Sequence, residues 1–305
     1  MGNNMNNRLW RENMAIVSGS NAAELAAALA DELGWEHCPL EVRRFPDSEG
    51  YVRVPHECIE AIRREPVVLV ATTFPDSGIV EALLMLESIH DVRRGDMSNL
   101  KGEGEDNLGD VGPGIFLAVP YFGYSRQDKR FQRGEVVSAK LLARLLTRRC
   151  DGMVVLDLHA PAVLEDLEVP VSFVSSMPEI AIHLQENVGP DFVLSPDKGA
   201  IERASHVANA IGCNFSYLEK TRIDAHTIEH KAKNLDVDGA IVAIVDDMIS
   251  TGGTICKASD ALRRQGAIAV HAACTHGLFT GSAITRLAEH VDGVHATDSL
   301  PNPRS

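Results

Sequence analysis

Short apolar runs recur along the chain, each followed within a few residues by a helical pattern: Val67–Ala71, Ile115–Val119, Met153–Leu156 and Ile241–Val245. Runs of this kind carry no polar alternation, so both faces of each strand must be covered. Intervening helices provide that cover, and the combination specifies parallel sheet in an α/β fold. Ala15–Val17 is a further strand candidate, and its helix repeats Leu25, Leu29 and Leu33 before Gly34. Asn21 is expected to cap that helix with Glu24 as capping-box partner. Two more helices carry Leu83, Leu84, Leu86 and Ile89, and Val137, Leu141 and Leu145. Later strands are expected at Val171–Val174, Phe192–Leu194 and Ile268–Val270, with helices near Pro178–Glu186, Gly199–Ile211, Thr254–Gln265 and Ser282–His290. Two prolines and an acidic stretch interrupt the pattern around Ala160–Pro170. The expectation is two doubly wound parallel-sheet domains, 1–162 and 163–305, in line with roughly 150 residues per domain.

Composition narrows the partners. The count of 29 Lys+Arg against 43 Asp+Glu gives −14, which excludes a general polynucleotide binder because a phosphate backbone needs a basic face. Small phosphorylated ligands need only a local cluster of donors and stay open. Uninterrupted apolar runs reach about five to seven residues, against the ~20 that cross a membrane, so no membrane partner is expected. Met1–Trp10 is Asn-rich with no apolar h-region, and the six cysteines form no C-x-x-C pair. Both features fit a reducing cytoplasm. Gly95–Gly114 holds six glycines, a proline and five acids in twenty residues, and is expected to be a mobile surface insertion.

The sharpest chemical signal is Ile241–Ile255, IVAIVDDMISTGGTI. A buried strand is expected to end in Asp246 and Asp247, followed by Ser250, Thr251, Gly252, Gly253 and Thr254 and then a helix. Ligands of open α/β sheets bind beyond the carboxyl ends of strands. The glycines admit a phosphate to the backbone, and the helix N-terminus supplies N–H groups and positive dipole. Paired acids would repel that phosphate, so they are assigned to vicinal sugar hydroxyls, with ribose 5-phosphate the simplest ligand. Tyr121–Glu135 carries Arg126, Lys129, Arg130 and Arg133 with Gln127 and Asp128 between them, and Tyr121, Phe122 and Tyr124 as stacking surface. A polyphosphate with an aromatic base suits this mixture. His159 after VVLDL and Asp197 in SPDKG both follow strands. Each reads alone as a structural hydrogen-bonder or cap, and together they could hold Mg²⁺. Lys220 and Arg222 lie in a segment without periodicity and read alone as surface charge.

With these residues in hand, the chain resembles the ribose-phosphate diphosphokinase (phosphoribosyl pyrophosphate synthetase) family from about Arg43 to Asp298. The carrying motifs are Arg44–Val54 (RFPDSEGYVRV), Tyr124–Lys129 (YSRQDK), Asp157–Ala160 (DLHA), Ser195–Gly199 (SPDKG), Val245–Thr254 and Thr275–Phe279 (THGLF). The resemblance implies domains of the type I phosphoribosyltransferase-like kind and a transfer of the β,γ-diphosphoryl group of ATP to the anomeric hydroxyl of ribose 5-phosphate. It implies ATP contacts at Phe45, Asp47, Glu49, Arg126, Gln127 and Asp128, and Phe45 would stack on the adenine of a neighbouring subunit's ATP. It implies Mg²⁺ at His159 and Asp197, Lys220 and Arg222 as catalytic cations on a flexible loop, and a homodimer or larger assembly. Position 250 is Ser where many members have Asp, as in archaeal-type members, and Ser48 replaces a usual glycine. The 95–114 insertion is longer than usual. The chain ends soon after Asp298, where most members continue with a strand and a helix, so an effect on stability and assembly is expected more than one on chemistry. The competing readings are a phosphoribosyltransferase, which would consume the diphosphate, and a non-catalytic regulatory homologue.

Overall fold

The apolar runs pair as expected, side by side and parallel. The computed structural model describes residues 14–95, 113–222, 228–232 and 236–301, and the chain divides into two units between Val174 and Ser175. The first contains β1 (Ala15–Ser18), α1 (Ala23–Leu33), β2 (Glu36–Pro39), β3 (Glu41–Arg44), β4 (Gly50–Arg53), α2 (Ile59–Arg64), β5 (Val67–Val70), α3 (Asp76–Arg94), β6 (Ile115–Val119), α4 (Ser138–Leu146), β7 (Gly152–Leu156) and β8 (Val171–Val174). Its main sheet is wholly parallel in the order β2-β1-β5-β6-β7-β8, and β3 and β4 form a separate antiparallel hairpin. Val67, Leu69, Ile115, Leu117 and Val155 lie in a core closed by Leu86, Ile89 and Leu146 from the helices. Each such side chain contributes about 1.5–3 kcal/mol by leaving water.

The second unit contains α5 (Met177–Asn187), β9 (Phe192–Ser195), α6 (Ile201–Ile211), β10 (Asn214–Arg222), β11 (Ile228–Ala232), β12 (Ile241–Ile249), α7 (Gly253–Arg264), β13 (Ala269–Gly277), α8 (Ala283–Ala288) and β14 (Gly293–Ala296). Its sheet runs β11-β10-β9-β12-β13-β14. All pairings are parallel except that of the edge strand β11. With the antiparallel edge strand β11 set aside, the second unit runs β10-β9-β12-β13-β14, the same second-first-third-fourth-fifth order as β2-β1-β5-β6-β7 of the first. Strand order reverses between β1 and β5 and again between β9 and β12, and such reversals open the crevices in which α/β sheets bind ligands. In the first unit protein groups occupy that crevice. Asn21 Nδ2 donates to Thr72 O at 3.0 Å, and Glu81 accepts from Ser20 N at 2.6 Å and Ser20 Oγ at 2.7 Å.

Several expectations are corrected. The boundary lies twelve residues beyond 162, because Val171–Val174 pairs with β7 and completes the first sheet. Asn21 is not a cap: Ala22 holds that position without a side-chain bond, and the Asn21 amide is spent on Thr72. Helix α4 buries Ala139, Leu142, Ala143 and Leu146, leaving Leu141 53% and Leu145 36% exposed. Both of its faces carry apolar residues at helical spacing, and period alone does not choose between them. Most of the 95–114 insertion falls outside the described residues, but its two ends are held. Buried Arg93 donates to Ile62 O at 3.1 Å, to Glu65 O at 3.0 Å and to Pro113 O. Burial lowers this guanidinium to about 10.

Three imidazoles join α5, β14 and β13. His183 Nε2 lies 2.9 Å from His295 Nδ1, and His271 Nδ1 lies 3.2 Å from His295 Nε2. Gly293 leaves room for the stack, since a Cβ there would stand 2.6 Å from His271 Nδ1. Each link needs one ring nitrogen to donate and the facing one to accept. Burial, then His183 and His271, lower His295 to about 4. An unfolded histidine takes up its proton near pH 6.5, so below that pH the unfolded state binds more protons. This contribution to stability is full above about pH 6.5 and is lost as pH falls towards 4. The melting temperature is expected to drop by about 3 °C between pH 7 and pH 5 from this source. His295→Gln should flatten that slope, and equal slopes in the two proteins would refute the assignment.

Candidate active site

Strand β12 does not stop at the acids. It continues to Ile249, with Asp246 opposite Cys274 and Met248 opposite His276, because β13 is equally long and keeps pairing. The acids therefore sit inside the ladder and are rigidly held, beside the β9/β12 reversal. Asp247 is 2% exposed. The Asp246 carboxylate accepts from Asp247 N at 2.9 Å. Burial, followed by the neighbouring charge of Asp247 and the more distant Asp197, raises Asp246 well above the carboxylate range. Arg203, on α6, brings Nη2 within 3.6 Å of Asp247 Oδ2.

The turn beyond β12 is fixed by glycine and by bonds from the chain after β13. Gly252 caps α7 in the left-handed region at φ 74° without a side-chain bond. A Cβ there would stand 2.9 Å from Leu287 Cγ, so both conformation and space require glycine. A helix capped in this way offers its first-turn N–H groups outward. The turn is braced from behind. Leu278 N and Phe279 N donate to Ile249 O at 3.0 and 3.1 Å, and Thr280 N donates to Ser250 O at 3.0 Å. Ser250 Oγ and Thr280 Oγ1 lie 3.1 Å apart, and Arg286 Nη1 donates to Thr251 O at 3.1 Å. Arg203, Thr280 and Arg286 are neighbours of the acids and the turn that the sequence reading missed. A single Arg on a helix carries no signal until the fold places it. At the end of β9, Asp197 Oδ1 accepts from Gly199 N at 2.8 Å, so it does cap the short turn into α6.

In the first unit, Phe45, Asp47 and Glu49 form the exposed tip of the β3–β4 hairpin. Phe45 meets Tyr51 edge to face at 5.8 Å, and the Arg43 guanidinium stands 5.2 and 4.0 Å from the two ring centroids. Ser48 adopts φ 75°, which explains physically why glycine suits this position. Arg126, Gln127 and Asp128 lie on the loop after β6, with Arg126 exposed. Tyr121 and Phe122 are buried at 4% and 2%, and are therefore not stacking surface. Tyr124 is exposed and donates from its hydroxyl to Asp76 Oδ1 at 2.8 Å. His159 is exposed beyond the end of β7.

Lys220 and Arg222 were expected on an unstructured segment. Their backbone instead belongs to β10, opposite His230 and Ile228 of β11. The pairing is made by main-chain groups, which leave no hydrophobic period to read. Residues 223–227 between the two strands lie outside the described residues.

Residues 14–94 and 113–149 match the N-terminal domain of ribose phosphate pyrophosphokinase, and residues 179–294 match the phosphoribosyl transferase domain. The first match skips the acidic, glycine-rich insertion. The ribose-phosphate pyrophosphokinase of Methanopyrus kandleri is 39% identical over 295 residues, covering 95% of this chain and 94% of the relative. The chain belongs to the ribose-phosphate pyrophosphokinase family. The Pyrococcus furiosus member is 35% identical, with 95% of each chain covered. The crystal structure of phosphoribosylpyrophosphate synthetase from Mycobacterium smegmatis superimposes with a TM-score of 0.78 at 28% identity, over 95% of this chain and 90% of that one. Each of the two matched domains lies within one of the two units of this fold. No helix among the described residues is long and apolar enough to cross a membrane.

Proposed function

We propose that the protein transfers the β,γ-diphosphoryl group of ATP to the anomeric hydroxyl of ribose 5-phosphate, giving 5-phosphoribosyl 1-diphosphate and AMP. The observation that carries this reading is the acid pair fixed in β12 directly before a glycine-capped helix. A pentose 5-phosphate has the matching ends. Its vicinal hydroxyls meet Asp246 and Asp247, and its phosphate meets the first turn of α7 and the hydroxyls of Ser250, Thr251 and Thr254. A phosphoribosyltransferase would use the same turn. The match of the first unit to the N-terminal domain of ribose phosphate pyrophosphokinase favours the kinase, and on this reading the hairpin tip with Phe45, Asp47 and Glu49 serves ATP of a neighbouring subunit in a homodimer or larger assembly.

In the forward step the anomeric oxygen attacks the β-phosphorus of ATP, the bond to the α-phosphate oxygen breaks, and AMP leaves. Arg126, Gln127 and Asp128 bind the nucleotide. Fixing the sugar on rigid strand and helix ends supplies the orientation that phosphoryl transfer chiefly needs. Lys220 and Arg222 neutralise charge growing on the transferred group. Among the described residues no three His, Cys, Asp or Glu side chains form a metal cage. Mg²⁺ does not require one, since it keeps several waters and takes one or two protein ligands beside substrate phosphates. The oxygen and nitrogen donors of Asp197 and His159 fit that role. When bound, Mg²⁺ would offset the negative charge of the triphosphate.

The test is incubation of purified protein with ATP, Mg²⁺ and ribose 5-phosphate, with nucleotides resolved by chromatography. AMP should form in step with the sugar diphosphate. Formation of ADP, or ribosylation of an added free base without AMP, would overturn the proposal. A folded protein silent with both substrates and Mg²⁺ would favour the regulatory homologue.

A further inference from the structure

Successive residues of the turn before α7 are each held from the segment that enters and forms α8. Thr280 holds Ser250, through its N–H on the Ser250 carbonyl at 3.0 Å and through hydroxyls 3.1 Å apart. Arg286 holds Thr251, with Nη1 donating to Thr251 O at 3.1 Å. Leu287 packs on Gly252 so closely that a Cβ there would stand 2.9 Å from Leu287 Cγ. Of these contacts only that of Arg286 brings charge, and a hydrogen bond from an ionised donor is roughly twice as strong as a neutral one. The direction of that bond matters. The Thr251–Gly252 peptide is trans, and in a planar trans peptide the C=O and the N–H point opposite ways. The Thr251 carbonyl points to α8, so the Gly252 N–H points away from it. Among the described residues no group accepts from this N–H, although Gly252 is buried. A buried backbone donor without a protein partner is the exception in a folded chain. Glycine leaves the peptide plane before it free to rotate, and α7 has no side-chain cap to set that plane. The anchor on Thr251 O sets it instead.

We infer that Arg286 is a positioning residue for the sugar's phosphate: its bond to the Thr251 carbonyl aims the Gly252 N–H at the phosphate and holds it there before the ligand arrives. Arg286 touches neither the phosphate nor a reacting atom. Its guanidinium stands at the carbonyl end of the peptide, opposite the N–H, and acts through that peptide rather than by contact. A cation on the carbonyl also polarises the peptide and strengthens its N–H as a donor. A donor fixed in advance avoids the cost of ordering it on binding. This inference rests on the proposed reaction with ribose 5-phosphate.

The test uses the full chain with Arg286→Met, which keeps an aliphatic stem and removes charge and donors, and with Arg286→Lys, which keeps a charged donor. For Arg286→Met the Kd for ribose 5-phosphate, from calorimetric titration, should rise about 10-fold, while that for ATP changes less than about twofold. Arg286→Lys should stay within about threefold of wild type. A second readout needs no turnover. In nitrogen-15-labelled wild type the Gly252 amide proton should move downfield as ribose 5-phosphate is added, and in Arg286→Met most of that movement should be lost. A residue that only supports the fold would lower the melting temperature and the amount of active protein, and would change neither the ratio of the two affinities nor the amide shift. An unchanged sugar affinity or an unchanged Gly252 shift in Arg286→Met would overturn the inference, as would a lysine variant as weak as the methionine one. If wild type makes no AMP, the reaction reading fails separately. The Gly252 amide is then titrated with inorganic phosphate: the same contrast between wild type and Arg286→Met upholds the role of Arg286, and its absence overturns it. Thermal melting shows whether Arg286→Met folds. If it does not, the decision passes to Arg286→Gln, whose shorter neutral amide must show the same rise in Kd.

Discussion

Lys220→Ala is expected to lower kcat by about 10³-fold while the dissociation constant for ATP stays within about threefold. A cation that meets charge only as it builds on the transferred group stabilises the transition state and not the ground state, so its loss appears in kcat. About 4 kcal/mol of barrier corresponds to that factor. The position of Lys220 in a paired strand makes this more testable than a loop would. The substitution leaves the main-chain pairing with His230 intact, so circular dichroism and melting should match wild type. Steady-state rates at saturating substrates and calorimetric ATP titration check the split. A weakened ATP complex with normal turnover would place Lys220 in ground-state binding instead.

The second large effect is Asp247→Asn, which keeps the volume of a side chain 2% exposed and removes its charge. Sugar affinity should fall about 100-fold, since a hydrogen bond to a charged acceptor is worth about 1.5–3 kcal/mol. ATP affinity should hardly change. The variant also leaves Arg203 facing an amide, so some loss of stability should accompany it, and Asp247→Ala should cost more because it adds a cavity. Calorimetric titration with ribose 5-phosphate gives the affinity directly. An unaltered sugar isotherm would remove Asp247 from the hydroxyl contact.

How much of this was readable from residues alone differs by kind of signal. Val67–Val70, Ile115–Val119 and Ile241–Val245 announced themselves because fully buried strands need uninterrupted apolar runs. The turn at Ser250–Thr254 was equally clear, since glycine at 252 answers both a left-handed backbone and contact with Leu287. The hairpin β3–β4 was missed as structure although its tip was singled out, because Glu41–Arg44 is mostly polar and no residue of either strand is fully buried. The face of α4 was misjudged because Leu141 and Leu142 are equally apolar and only packing separates them. Long-range partners were invisible in principle. Asn21 with Thr72, Arg203 with Asp247 and Ser250 with Thr280 join elements far apart in the chain, and no local pattern encodes such pairs.

Arg93 has an outcome of its own. It stands just before the insertion, and its guanidinium ties the carbonyls of Ile62 and Glu65 at the end of α2 to that of Pro113, where the described chain resumes. Chain added between fixed ends costs little, about 0.6 kcal/mol for each doubling of length. With exit and re-entry clasped by one side chain, this stretch is a natural graft point, where a reporter domain or affinity epitope can be spliced without unsettling the sheet beneath.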